Sequence, residues 1–207
     1  MTDTRTLPGR LAVLGVLLAL TSLLASCGAD EPEQQSQQTH TAANGDTYND
    51  ADVAFATDMI QHHAQALQMV DMTMGRDLDP QVAQLAEDIR TAQVGEVETM
   101  VDWLTAWEEP VPETVLDHAN AHGDGHLEMD EMPGMLTNDQ LDDLEAARGA
   151  EFRTLWLQLM IEHHEGALEM ASTAASDGEF ADTVAMAESI RSSQQDEIDR
   201  MRDLLGS

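Results

Sequence analysis

The sequence predicts an all-α protein, a four-helix bundle made of two duplicated antiparallel hairpins. Three observations lead there. Ala, Leu, Met, Glu and Gln are abundant and aromatic residues make up only 3%, a composition that favours helices over sheets. Apolar residues recur at helical spacing in four long stretches. The chain also repeats itself: residues 55–104 lie over residues 156–205 without a gap, at a constant offset of 101 that carries His62 onto His163 and Arg90 onto Arg191 alike.

The elements follow in order. Asn49 or Asp50 can cap a first helix whose apolar residues, from Val53 through Met59, Ile60 and Leu67 to Val70, keep helical spacing until Gly75. Asp79 as N-cap and Pro80 at the first helical position start the second helix. It runs to about Trp107, where Pro110 and Pro112 forbid continuation. In the second copy Thr137 and Gln140 form a capping box. A single long helix is expected from there to about Ser176, then a turn at Asp177 and Gly178, then a last helix to about Leu205. Short loops within each copy imply antiparallel hairpins, and two such hairpins bury their apolar faces most simply against each other. The repeats span about 50–107 and 137–207, joined by a crossover over 108–136, and together they form one domain over 50–207.

The segment ahead of this domain reads as an address. Arg5 and Arg10 precede "LAVLGVLLALTSLLA", an apolar run of signal-peptide length that is short for a membrane span. It ends in "LASC", which resembles the lipobox of bacterial lipoproteins. Cys27, the only cysteine, stands where lipid would be attached. Residues 1–26 are therefore expected to be a lipoprotein signal peptide and 27–49 a flexible polar tether, with His40 a solvated bystander. Lipid on Cys27 would hold the mature chain at the cell membrane, on its extracytoplasmic side. The domain itself has no thiol for disulfides or thiolate metal sites.

The formal net charge is −31, and all nine basic residues are arginine. Such a surface repels nucleic acid and concentrates cations. It is also what a solubility or high-salt adaptation produces, so the charge permits a cation-binding role without demonstrating one.

The chemistry-bearing pattern is "MIQHHAQALQM", residues 59–69, and its twin "MIEHHEGALEM", residues 160–170. At 100° per residue, His63 falls near the centre of the first helix's apolar face and His62 on its flank; His164 and His163 repeat the arrangement. A pseudo-twofold axis through the helix middles would turn the two clusters toward one shared pocket, with the central rings His63 and His164 expected to converge. The competing reading is four core histidines satisfied by Gln93, Glu96, Gln194 and Glu197, which share one stripe on the neighbouring helices. As part of a metal site, those same groups would orient imidazoles from behind. Thioether and imidazole together, without thiolate, favour copper as Cu(I) or Cu(II); zinc through His with Asp or Glu stays open. The crossover adds His118, His122 and His126 every four residues, then Met129, Met132 and Met135 every three. That is the composition of a copper-capturing segment, or of a linker with one apolar face.

Several signatures are absent: H-E-x-x-H, the Glu-x-x-His pair of carboxylate di-iron bundles, G-x-S-x-G, the P-loop and the dinucleotide fingerprint. The stretches "FATDMIQHHAQALQM", "MPGMLTNDQLDDLEAARGAEF" and "LMIEHHEGALEM" closely resemble the bacterial domain-of-unknown-function 305 family, over roughly residue 50 to the C-terminus. That family is similar to ferritin-like four-helix bundles and includes a cyanobacterial periplasmic copper-binding protein. The resemblance implies copper binding and copper tolerance outside the cytoplasm. It carries over to Met59, His62, His63, Met69, Met160, His163, His164 and Met170, and to Met132 and Met135 of the M-P-G-M segment. The expected protein sequesters copper or exchanges it with an envelope partner, with no catalysis of its own. Two other classes stay open: a metal-dependent oxidoreductase with Glu96 and Glu197 on iron, and a non-metal structural or stress protein of the envelope.

Overall fold

The computed structural model describes residues 38–115 and 132–206. Among the described residues two short strands, β1 (Thr39–Thr41) and β2 (Thr47–Asn49), precede five helices: α1 (Asp50–Asp71), α2 (Pro80–Ala106), α3 (Asn138–Ala146), α4 (Gly149–Asp177) and α5 (Ala181–Leu205). Helices α1 and α2 pack as one hairpin, α4 and α5 as another, and the hairpins meet chiefly along α1 and α4. This is the expected all-α bundle, with α3 as an added short helix. None of the described helices is long and apolar enough to cross a membrane.

Local chemistry sets most of the boundaries. Asn49 caps α1 in a reciprocal box with Asp52, and Thr137 does the same for α3 with Gln140. Asp79 caps α2 with Pro80 at the first helical position. The Asp52 side chain is fully buried, and its Oδ2 accepts from the backbone N–H groups of Asn49, Glu179 and Phe180. One carboxylate thus ties the start of α1 to the turn between α4 and α5. At the other end, Trp156 on α4 donates its indole N–H to the Met69 carbonyl of α1 at 2.9 Å.

Two expectations need correction. The long helix predicted from Thr137 breaks at Ala147 and Arg148, both extended, and restarts at Gly149 with φ +56. The carbonyls freed there are taken by arginines. Arg76 donates to the Ala147 and Glu145 carbonyls, and Arg148 donates to both as well. The guanidinium of Arg76 also lies over the Phe152 ring at 3.8 Å, which fixes α4 against the end of α1. The second correction concerns the tether. Its last residues form a hairpin, with His40 opposite Tyr48 and the turn closed at Gly45, φ +96. The Tyr48 ring, 5% exposed, stacks on Trp107 at 4.4 Å, and the Trp107 indole donates to Asp46. His40 is no bystander: its Nε2 lies 2.9 Å from an Asp50 carboxylate oxygen. The signal segment, Cys27 and residues 27–37 lie outside the described residues, as do His118, His122, His126 and Met129 of the crossover.

Candidate metal centre

The four paired histidines all sit at zero exposure in the middle of the bundle. Each pair occupies two successive positions of a helix, so one ring of the pair looks across the bundle and the other toward its own hairpin partner. His62 and His163 look across. Their ring centroids are 3.8 Å apart with planes tilted 40°. His63 and His164 turn the other way. His63 donates from Nε2 to Glu96 of α2 at 2.7 Å, and His164 donates likewise to Glu197 of α5 at 2.8 Å. The flank pair therefore converges, and the pair central to each apolar face is held within its own hairpin. The helical wheel fixes the 100° between neighbours but not which neighbouring helix lies in which direction.

A strap of chain covers the converging pair. Met132–Met135, the M-P-G-M segment, lies half-buried against α1 and α4. His62 donates from Nε2 to the Pro133 carbonyl at 3.1 Å. The Gln65 side chain clamps Leu136 with two bonds, accepting from its N–H at 2.8 Å and donating to its carbonyl at 3.0 Å. Gly134, φ +75, lies so close to α4 that a Cβ on it would stand 2.8 Å from the carbonyl oxygens of Glu162 and His163.

The electrostatics follow from burial. Desolvation, then the neighbouring His63 ring, push the His62 imidazole from its ordinary 6.5 down to about 3, and the Pro133 hydrogen bond offsets only part of this. His163 is held well below 6.5, first by desolvation and then by His62, with the His62 backbone opposing weakly. Both rings are neutral at physiological pH, which is the form that ligates metals.

What remains unsatisfied is informative. Nδ1 of His62, His63 and His164, and both ring nitrogens of His163, are buried without a well-formed hydrogen bond to any of the described residues. The side-chain amides of Gln93 and Gln194, equivalent positions on α2 and α5, are buried and unpartnered as well. Of the stripe predicted to satisfy the histidines, Glu96 and Glu197 do so and the two glutamines do not. Native interiors leave few such groups, so ten in one bundle core, counting the Gln68 carbonyl oxygen on α1, call for a ligand or ordered water. Among the described residues, no three His, Cys, Asp or Glu side chains converge as a ready coordination sphere. The touching faces of His62 and His163 leave no room for an ion between them, so an ion would be held at the ring edges, where those nitrogens point.

The thioethers divide. Met59 and Met160 are fully buried one turn before His63 and His164, and Met69 is also fully buried. Met170 is half-buried, as are Met132 and Met135 of the strap. Sequence reasoning passed over Gln65, Pro133, Gly134 and Gly166 as individual residues. A signal for two of them existed: Gln65 and Gly166 are one position of the repeat, filled by unlike residues inside an otherwise matching motif.

The sequence pattern of the DUF305 family, described only as a domain of unknown function, matches residues 52–205. The chain belongs to the DUF305 family. A DUF305 protein of Streptomyces coelicolor, described as secreted, is 33% identical, with 75% of this chain and 91% of that one covered and a TM-score of 0.65. A DUF305 fragment from Deinococcus radiodurans is 27% identical over 81% of this chain and 99% of its own, with a TM-score of 0.66. CopM in its Cu(II)-bound form is 27% identical over 75% of this chain and 95% of its own, with a TM-score of 0.60. CopM is also known in Cu(I)-bound and silver-bound forms. No curated protein matches the chain in sequence.

Proposed function

We propose that this DUF305 protein is a lipid-anchored extracytoplasmic copper-binding protein that sequesters copper or hands it to an envelope partner without catalysing a reaction. The observation that carries the reading is the group of five buried imidazole nitrogens with no well-formed hydrogen bond among the described residues, on four neutral or carboxylate-backed rings in a methionine-bearing core. Imidazole and thioether in a dry interior suit Cu(I) best, since that ion accepts low coordination numbers and soft donors. Glu96 and Glu197 each accept from an Nε2–H. They hold that nitrogen as a donor and leave Nδ1 as the atom that can meet an ion, the usual arrangement behind metal-bound histidine. CopM, a relative with copper-bound forms, supports the metal, and the relative described as secreted supports the compartment. The lipobox at Cys27 supports the anchor. The strap methionines Met132 and Met135, with His118, His122, His126 and Met129 before them, would capture the ion and pass it inward.

The same carboxylates argue against the oxidoreductase alternative, because each is spent on an imidazole in its own hairpin. Titration with Cu(I) and Cu(II), of the wild type and of a His62/His63/His163/His164→Gln variant, tests the reading by calorimetry. The wild type is expected to bind at least one more Cu(I) than the variant. Equal stoichiometry in the two would overturn the paired-histidine site.

A further inference from the structure

The four histidines differ in what holds them, and the difference traces to one position of the repeat. Glu96 and Glu197 are equivalent residues and treat His63 and His164 alike, at 2.7 and 2.8 Å. The strap exists only once, so His62 and His163 cannot be treated alike. His62 has the Pro133 carbonyl at 3.1 Å, whereas His163 meets only a weak approach of the His62 backbone and has no well-formed hydrogen bond among the described residues.

What seats the strap on one side is the pair Gln65 and Gly166. In the first copy this position carries an amide that grips Leu136 through both its donor and its acceptor. In the second it carries no side chain. A Cβ on Gly166 would stand 2.1 Å from the Pro133 oxygen and 2.3 Å from its carbonyl carbon, closer than any real contact. The carbonyl that meets His62 therefore occupies the space a side chain at 166 would fill. A carbonyl has no proton to give. With the strap seated, a His62 ring protonated at Nδ1 would set two lone pairs against each other in a buried site, so the proton stays on Nε2.

We propose that Gln65 and Gly166 are positioning residues that seat the Pro133 carbonyl against His62. They thereby fix that ring's proton on Nε2 and present its Nδ1 as a ligand atom. The strap thus does for His62 what a carboxylate does for His63 and His164. Three of the four rings are thus set in one tautomer, two by carboxylates and one by the strap. The assignment of Nδ1 as a ligand atom rests on the copper-binding reading; the tautomer of His62 does not.

The test is two-bond proton–nitrogen NMR of the full chain labelled with 15N-histidine. It separates Nε2–H from Nδ1–H rings directly. In the wild type His62, His63 and His164 are expected in the Nε2–H form. Gly166→Ala forces the strap off α4. His62 alone should then move toward an exchange-averaged pattern, and exchange of the Leu136 amide should quicken by about tenfold or more as its bond to Gln65 opens. Gln65→Met, of similar volume and without the amide, should act in the same direction and serves if the alanine variant does not fold. An Nδ1–H ring at His62 in the wild type overturns the proposal. So does a His62 that keeps its Nε2–H signature in a variant whose Leu136 amide exchanges freely. Adding Ag(I), a diamagnetic stand-in for Cu(I), should shift the Nδ1 resonances of His62, His63 and His164. If no ring responds while the strap dependence holds, the metal reading fails and the positioning role stands.

Discussion

Acid should loosen this bundle through two rings in particular. His62 is pushed to about 3 and His163 well below 6.5, in each case chiefly by burial. The folded chain keeps both neutral, whereas the unfolded chain protonates each near 6.5. Their contribution to stability is therefore complete above pH 6.5, falls as pH drops below that value, and stops falling only near the folded pKa values. At pH 5, His62, which stays neutral in the fold, forgoes the protonation free energy open to the unfolded chain, about 2 kcal/mol, and His163 acts in the same direction. That is a large share of the roughly 5–15 kcal/mol that holds a domain folded. The net charge of −31 works in the opposite direction, because protonating surface carboxylates relieves self-repulsion as pH falls. The measurement is accordingly a difference. Urea unfolding followed by circular dichroism, at pH 7.5, 6.5, 5.5 and 5.0, is compared between the wild type and His62→Gln/His163→Gln. The wild type should lose stability relative to the variant by about 2 kcal/mol or more across that range. Parallel curves within about 0.5 kcal/mol would refute the claim that these rings are held neutral by burial.

Glu96→Gln and Glu197→Gln should each weaken Cu(I) affinity by about 10–100-fold, measured by competition against a chromophoric chelator, since each removes the charged acceptor behind one imidazole. Because the two carboxylates are equivalent in the repeat, losses differing by more than about tenfold would contradict equal halves. Tyr48→Ala, which empties the stack on Trp107, should cost about 3–5 kcal/mol in thermal unfolding and expose residues 38–49 to proteolysis. A change below about 1 kcal/mol would mean that the hairpin merely rests on the bundle.

Much of the scaffold could be read from the sequence because it is written in local chemistry. Asn49, Asp79 with Pro80, and Thr137 with Gln140 start helices through side chains within three residues of the backbone they satisfy. The repeat pairs the hairpins without any need for long-range prediction. The features that escaped depend on partners far away in sequence. The break at Ala147 and Arg148 sits in a stretch of good helix formers, and one of the arginines that fill its open carbonyls is Arg76, some 70 residues earlier. The hairpin at residues 39–49 has a single large ring, Tyr48, and its stacking partner is Trp107. The choice of His62 and His163 as the converging pair depends on where α4 lies around α1, which periodicity within one helix does not specify.

The duplication explains why the site is both symmetric and not. Copying a hairpin supplies two Met-His-His faces with two carboxylates behind them, and the near-identical distances of His63 and His164 to Glu96 and Glu197 preserve that origin. A purely twofold core would leave His62 and His163 equivalent, tilted against each other at 3.8 Å with no strap carbonyl to set either proton. The chain that joins the copies has only one path and must cross one side of the axis. Where it crosses, the repeat gives up its equivalence at a single position, Gln65 opposite Gly166. One copy supplies the hydrogen bonds that hold the strap, and the other supplies the space it occupies. Each substitution is needed by the other. An amide at 166 would displace the Pro133 carbonyl from His62, and a glycine at 65 would leave the Leu136 N–H and carbonyl buried without partners, at about 1–3 kcal/mol apiece. The departure from symmetry thus falls where the connection meets the histidines, and it sets His62 apart from its counterpart His163 by the strap carbonyl alone.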